Sequence, residues 1–174
     1  FAPYMSPTGD RWSQVERKSH YFNAKEQSSA FDRFFTSVPF DSLEDRQDYF
    51  VKYSRKLKDV IDNELKSSVY YGVERVAENT LLTAPQLAAV NKILHKSYKS
   101  ARYIRHKFYD KLAYSASVLF ETETRKYSEC FAGSGELAVV NYVLALDGLN
   151  KYDLLLLDEP ETSLHPGAQQ RLLE

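Results

Sequence analysis

Two adjacent carboxylates, Asp158 and Glu159, end the run Lys151-Tyr152-Asp153-Leu154-Leu155-Leu156-Leu157. Neighbouring carboxylates can offer oxygen to a hard cation such as Mg²⁺, and either can take a proton from water. The four leucines before them read as a strand buried on both faces, as in a parallel sheet. Pro160 stops such a strand, because it has no N–H to give to a ladder. The acids therefore fall at the carboxyl end of a strand, where open α/β sheets form ligand crevices. The alternative is an acidic turn that only caps the next helix. A second candidate group lies upstream, in Phe131-Ala132-Gly133-Ser134-Gly135-Glu136. Leu137 to Leu146 reads as an apolar helix, and the Gly-Ser-Gly run is its mouth. Small residues let backbone N–H groups approach an anion, and the helix start adds partial positive charge. Ser134 contributes a hydroxyl. Taken alone, this run reads equally as a glycine-rich cap with no ligand.

The elements that must position these groups follow from periodicity. Residues 1–41 are aromatic and broken by turn residues; Ser28 or Ser29 can cap a short helix carrying Phe31, Phe34 and Phe35. Ser42 precedes a helix over 42–66, with Glu44 and Asp45 in its first turn and Phe50, Tyr53, Leu57 and Leu65 along one stripe. Tyr70, Tyr71 and Gly72 suggest a turn or short strand. Thr83 and Pro85 open a second helix, whose apolar spacing from Leu87 through Val90, Leu94, Tyr98, Ala101 and Phe108 runs to Leu112. Its other face is a basic ridge of Lys92, Lys96, Lys99, Arg102 and His106. Phosphates of a nucleic acid suit such a ridge. A solvated face, or pairing with Asp48, Asp59 and Asp62 of the first helix, is the alternative. From Ala113 the pattern changes to a strand, with Tyr114, Ala116, Val118 and Phe120 alternating with Ser115, Ser117 and Leu119. Three domains result: an irregular aromatic segment over 1–41, a helical arm over 42–112, and an α/β lobe over 113–174.

Composition narrows the class. With 43% hydrophobic and 27% charged residues, the 174-residue chain reads as folded and not as a disordered tail. The net charge of −1 gives no global attraction to nucleic acid, so any basic patch is local. One cysteine, Cys130, excludes an intramolecular disulfide and suits a reducing cytoplasm. No apolar run approaches the roughly 20 residues that span a bilayer. His20, His95, His106 and His165 are scattered, without zinc spacing.

The two motifs agree in order and distance with a known family. Ala132-Gly133-Ser134-Gly135-Glu136, a buried helix, a turn at Gly148-Leu149-Asn150, and then Leu154-to-Pro166 resemble the second half of an ABC-type ATPase head. That resemblance covers about Tyr114 to Glu174. It implies a P-loop NTPase fold of α/β class with the helical arm as an insertion. Gly133, Ser134, Gly135 and Glu136 match the signature motif, although Gly133 stands where serine is usual. Asp158 and Glu159 match Walker B, which implies Asp158 for Mg²⁺ and Glu159 for the attacking water. Thr162-Ser163-Leu164-His165 match the D-loop, which implies contacts of Ser163 and His165 near a partner's nucleotide. The ending Glu159-Pro160-Glu161-Thr162-Ser163-Leu164-His165-Pro166 is similar to the RecF, SMC and OLD branch of AAA ATPases and to the ATPase subunits of Septu and retron anti-phage systems. No G-x-x-x-x-G-K-[ST] loop occurs, and both ends read as cuts, so the segment is expected to be a fragment without Walker A. The resemblance implies ATP and Mg²⁺ as cofactors, a head-to-tail dimer, and ATP occupancy that gates an effector nuclease. A nucleotide-clamped scaffold with little turnover and a RecF-like repair ATPase are the other readings.

Overall fold

Four helix starts carry their own side-chain or small-residue signals. The computed structural model describes residues 18–23, 29–110, 113–162 and 164–172. Ser29 caps α1 (Ala30–Ser37) by accepting from the Asp32 N–H, and Ser42 caps α2 (Leu43–Asp62) by accepting from the Asp45 N–H. Thr83 and Gln86 form a reciprocal capping box at α3 (Ala84–Leu94), with Pro85 in the first turn. Gly133 is the N-cap of α4 (Ser134–Asp147) and has no side chain to offer. A short helix, α5 (Pro166–Leu172), closes the described chain.

The strands of the described residues form three sheets. β1 (Ser19–Asn23) runs parallel to β8 (Leu154–Asp158), with Tyr21 opposite Leu156 and Asn23 opposite Asp158. β2 (Val69–Tyr70) and β3 (Val73–Glu74) make a small antiparallel hairpin. The largest sheet is antiparallel, in the order β4 (Val76–Leu81), β5 (Ser100–His106), β6 (Ser115–Glu121), β7 (Lys126–Ser128). Its two faces separate two apolar cores. Val118 and Phe120 of β6 join Val90, Leu137, Val140 and Tyr142 on the side of α3 and α4. Ile104 of β5 joins Phe34, Tyr53, Leu57 and Phe108 on the side of α1 and α2.

This sheet corrects the expected arm. The second helix ends at Leu94, not Leu112, because His95 takes the left-handed conformation (φ 52°, ψ 49°) of a helix C-cap. The apolar residues beyond it lie on a strand: Ala101 and Ile104 are buried, but β5 pairs with β4 on one side and β6 on the other. The described residues of 42–112 therefore hold two helices and four strands, and β5 pairs with β6 across position 112/113 through Ser100↔Glu121 and His106↔Ser115.

The basic ridge is absent for the same reason. Lys92 is on α3, Lys96 and Lys99 are in the loop after it, and Arg102 and His106 are in β5. Lys96 pairs with Glu136 and Lys99 with Glu123, while Arg102 bonds Glu64 and Asn79. His106 is fully buried. A second correction concerns β8, whose Leu154 and Leu156 are 50% and 49% exposed. Among the described residues it pairs with β1 alone, and α4 packs on this pair through Phe22 and Tyr142, whose tilted rings lie 4.4 Å apart. Burial on both faces needs cover on both.

Candidate functional site

The carboxyl end of β8 is fixed from two directions. Before the strand, Asp153 accepts from the Asn150 N–H (3.0 Å) and contacts His20 Nε2 (3.1 Å), which ties the turn to β1. These bonds, the Asn150 N–H foremost, hold the Asp153 carboxyl below its ordinary range. At the strand's end, the Tyr21 hydroxyl donates to Asp158 Oδ2 at 2.8 Å across the parallel pair. Asp158 is exposed, so its remaining lone pairs face solvent.

Glu159 leaves the strand with φ +48°, a left-handed backbone that a glutamate seldom adopts. Such a conformation costs on the order of 1–3 kcal/mol and persists where neighbours enforce it. Here the Thr162 N–H donates to the Glu159 carbonyl at 3.0 Å, and the Thr162 hydroxyl donates to Glu159 Oε2 at 3.1 Å. The turn thus aims the two acids differently: Asp158 follows the strand, and Glu159 departs from it.

The helix mouth is the start of α4. Gly133 and Ser134 are exposed, and a methyl group added at Gly133 meets nothing within 4 Å. Glu136 is held by the Tyr127 hydroxyl at 3.3 Å and by Lys96 Nζ at 3.7 Å. Gly135 and Glu136 line a groove of about 540 Å³ together with His95, Lys96, His165 and Arg171. His165 heads α5: its Nδ1 accepts from the Gly167 N–H at 3.2 Å, and its carbonyl accepts from Ala168 at 2.7 Å. Arg171 Nε donates to the Ile93 carbonyl at 2.9 Å, which locks α5 against α3.

The structure therefore brings Gly135, Glu136 and His165 to one groove, while Asp158 and Glu159 do not line it. Ser163 lies outside the described residues. Three residues of these surroundings had escaped the sequence: Tyr21, which bonds Asp158, and His95 and Arg171, which line the groove. The run His20-Tyr21-Phe22 falls in the segment read as irregular, because Asp158, the partner of Tyr21, lies 137 residues away and no local pattern names it.

The donor set decides which metal this end can hold. No group of three or more His, Cys, Asp or Glu among the described residues could cage an ion. The donors at the end of β8 are two exposed carboxylates, Asp158 and Glu159, and Mg²⁺ takes one or two carboxylates beside water and phosphate oxygens. An exposed carboxylate steadied at one oxygen suits that role. Among the described residues no helix is long and apolar enough to cross a membrane.

No curated protein and no solved structure matches the chain. A family model does, over residues 6–174, under the description "AAA domain, putative AbiEii toxin, Type IV TA system". The parallel pair β1–β8 with acids at its carboxyl end, and a helix opening on Gly-Ser-Gly, suit such an ATPase-like domain. With nearly its whole length inside that match, the chain belongs to this family of AAA domains.

Proposed function

We propose that this chain is the hydrolytic half of an ATP-dependent head, of ABC type, that works as a head-to-tail dimer in a defence or toxin–antitoxin complex. The observation that carries the reading is the end of β8, where Tyr21 steadies Asp158 and Thr162 holds Glu159 in a left-handed turn. Asp158, through its solvent-facing oxygen, is the residue that would hold Mg²⁺, and bound Mg·ATP supplies the phosphoryl group and offsets its charge. Glu159 orients a water and takes its proton. The Tyr21 hydroxyl keeps Asp158 from rotating away. Gly133, Ser134 and Gly135 offer backbone N–H groups and a hydroxyl to the nucleotide of the partner head, with His165 in the groove that Gly135 lines.

In this account the phosphate clamp is a Walker A loop outside these 174 residues. Nucleotide occupancy joins the heads and hydrolysis releases them, which gates an effector nuclease. The toxin–antitoxin description of the family supports a defence setting. Sedimentation of the full-length protein with a non-hydrolysable ATP analogue tests the dimer. Association is expected with the analogue and not without it, and Gly135→Trp should abolish it. Association that ignores the analogue, or that survives Gly135→Trp, overturns the head-to-tail arrangement.

A further inference from the structure

α2 and the β2–β3 hairpin build a second surface, remote from the acids of β8. Residues Lys52 to Lys58 (Lys-Tyr-Ser-Arg-Lys-Leu-Lys) hold four cations and no acid. Lys52, Arg55 and Lys56 are exposed and make no ion pair among the described residues, whereas Lys58 pairs with Asp62. These cations line an open groove along α2, with Asp48 and Asp59 the acids in the same lining. The hairpin packs on this face through Tyr70, edge-on to Tyr53 at 5.7 Å. Lys52 Nζ lies about 6 Å from the rings of Tyr53, Tyr70 and Tyr71, and Lys56 Nζ lies 5.8 Å from Tyr70.

The hairpin tip is unusual. Tyr71 and Gly72 form a two-residue turn with φ +52° and +72°, a type I′ geometry that favours Asn-Gly. A tyrosine there is strained, and it is 77% exposed. Turn formation alone explains Gly72 but not Tyr71. The tip is nonetheless rigid at its base: Glu74 accepts from the Ser68 N–H (2.8 Å), the Val76 N–H (3.0 Å) and the Ser67 hydroxyl (2.5 Å). An exposed ring on a braced turn, packed on Tyr70 at 4.5 Å and beside cations that make no ion pair among the described residues, is a stacking platform on an electrostatic track.

We propose that this surface binds a single strand of nucleic acid, with a base stacked on Tyr71 and neighbouring phosphates on Lys52, Arg55 and Lys56. An unpaired strand is favoured over duplex because a base must present its free face to the ring. An acidic protein satisfies the cations but makes no use of the exposed Tyr71 ring.

The test is fluorescence anisotropy of the full-length protein with a labelled oligothymidine of about 16 nucleotides, the upper site size of single-strand grooves. Asn tolerates the left-handed backbone, so Tyr71→Asn preserves the turn and loss of binding cannot be ascribed to unfolding. The expected result is about tenfold weaker binding for Tyr71→Asn, the scale of one lost base stack. Lys52→Gln with Lys56→Gln should lower the slope of log K against log salt by about 1.4, two phosphates' worth for a single strand. Unchanged affinity in Tyr71→Asn overturns the proposal, as does duplex that binds as tightly as the strand. Poly-glutamate that displaces the strand equally well from the native protein and from Tyr71→Asn assigns the surface to an acidic protein and also overturns it. None of these outcomes depends on nucleotide hydrolysis at β8.

Discussion

His106 is a fully buried titratable ring that the site does not use. Its Nδ1 accepts from the Phe108 N–H at 3.2 Å, so its Nε2 carries the proton and faces Ser117 Oγ at 2.9 Å. Ser117 in turn donates to Glu129 Oε1 at 2.8 Å, and the Val118 N–H donates to Glu129 Oε2. This chain of donors ties β5 and β6 to the residue just before the helix mouth. Burial lowers the His106 pKa to about 3. Between about pH 6.5 and pH 3 the unfolded chain therefore binds a proton that the folded chain refuses. This contribution to stability is complete above pH 6.5 and is lost as pH falls, with a slope of up to about 1.4 kcal/mol per pH unit. Burial raises the Glu129 pKa, which acts in the opposite sense. Urea titrations of wild type and His106→Gln isolate the histidine: the difference between their stabilities is expected to change steeply from pH 6.5 downward. A parallel pair of profiles contradicts the buried neutral ring.

At the scale of elements, the caps and the aromatic cluster are the firmest supports. Thr83→Ala removes one half of the α3 capping box and is expected to cost about 1 kcal/mol in urea denaturation. Phe34 is fully buried on α1 and touches the rings of Phe40, Tyr49, Phe50 and Tyr109. Phe34→Ala should cost about 3–5 kcal/mol by the same measurement. Such caps were legible in the sequence because each is decided within four residues: Ser42 with Asp45, Thr83 with Gln86. β5 was not legible as a strand. Val90, Leu94, Tyr98, Ala101 and Phe108 keep helical spacing across His95, and no glycine marks the break. What makes β5 a strand is pairing with β4 and β6, partners distant in sequence that no local period encodes. The exposed leucines of β8 belong with this lesson: an apolar run names a strand, while its burial depends on what covers each face.

At the scale of the whole molecule, the acids and the helix mouth are carried by different elements. The acids end the parallel pair β1–β8, whereas Gly135, Glu136 and His165 meet in the groove between α3, α4 and α5. In the proposed reading a second copy completes the site, each head lending its helix mouth to the other's nucleotide. The motifs themselves were readable because their chemistry is local: two acids after an apolar run, and Gly-Ser-Gly before a helix. The tyrosine that steadies Asp158 was not, since only the fold brings β1 beside β8. Glu159 is the residue on which the enzymatic account rests. The decisive measurement is steady-state ATP hydrolysis by the full-length protein and by Glu159→Gln. The rate is expected to fall about 10²- to 10⁴-fold, the usual worth of a positioned general base, while ATP binding persists. Equal rates contradict the account and leave the nucleotide as a structural clamp.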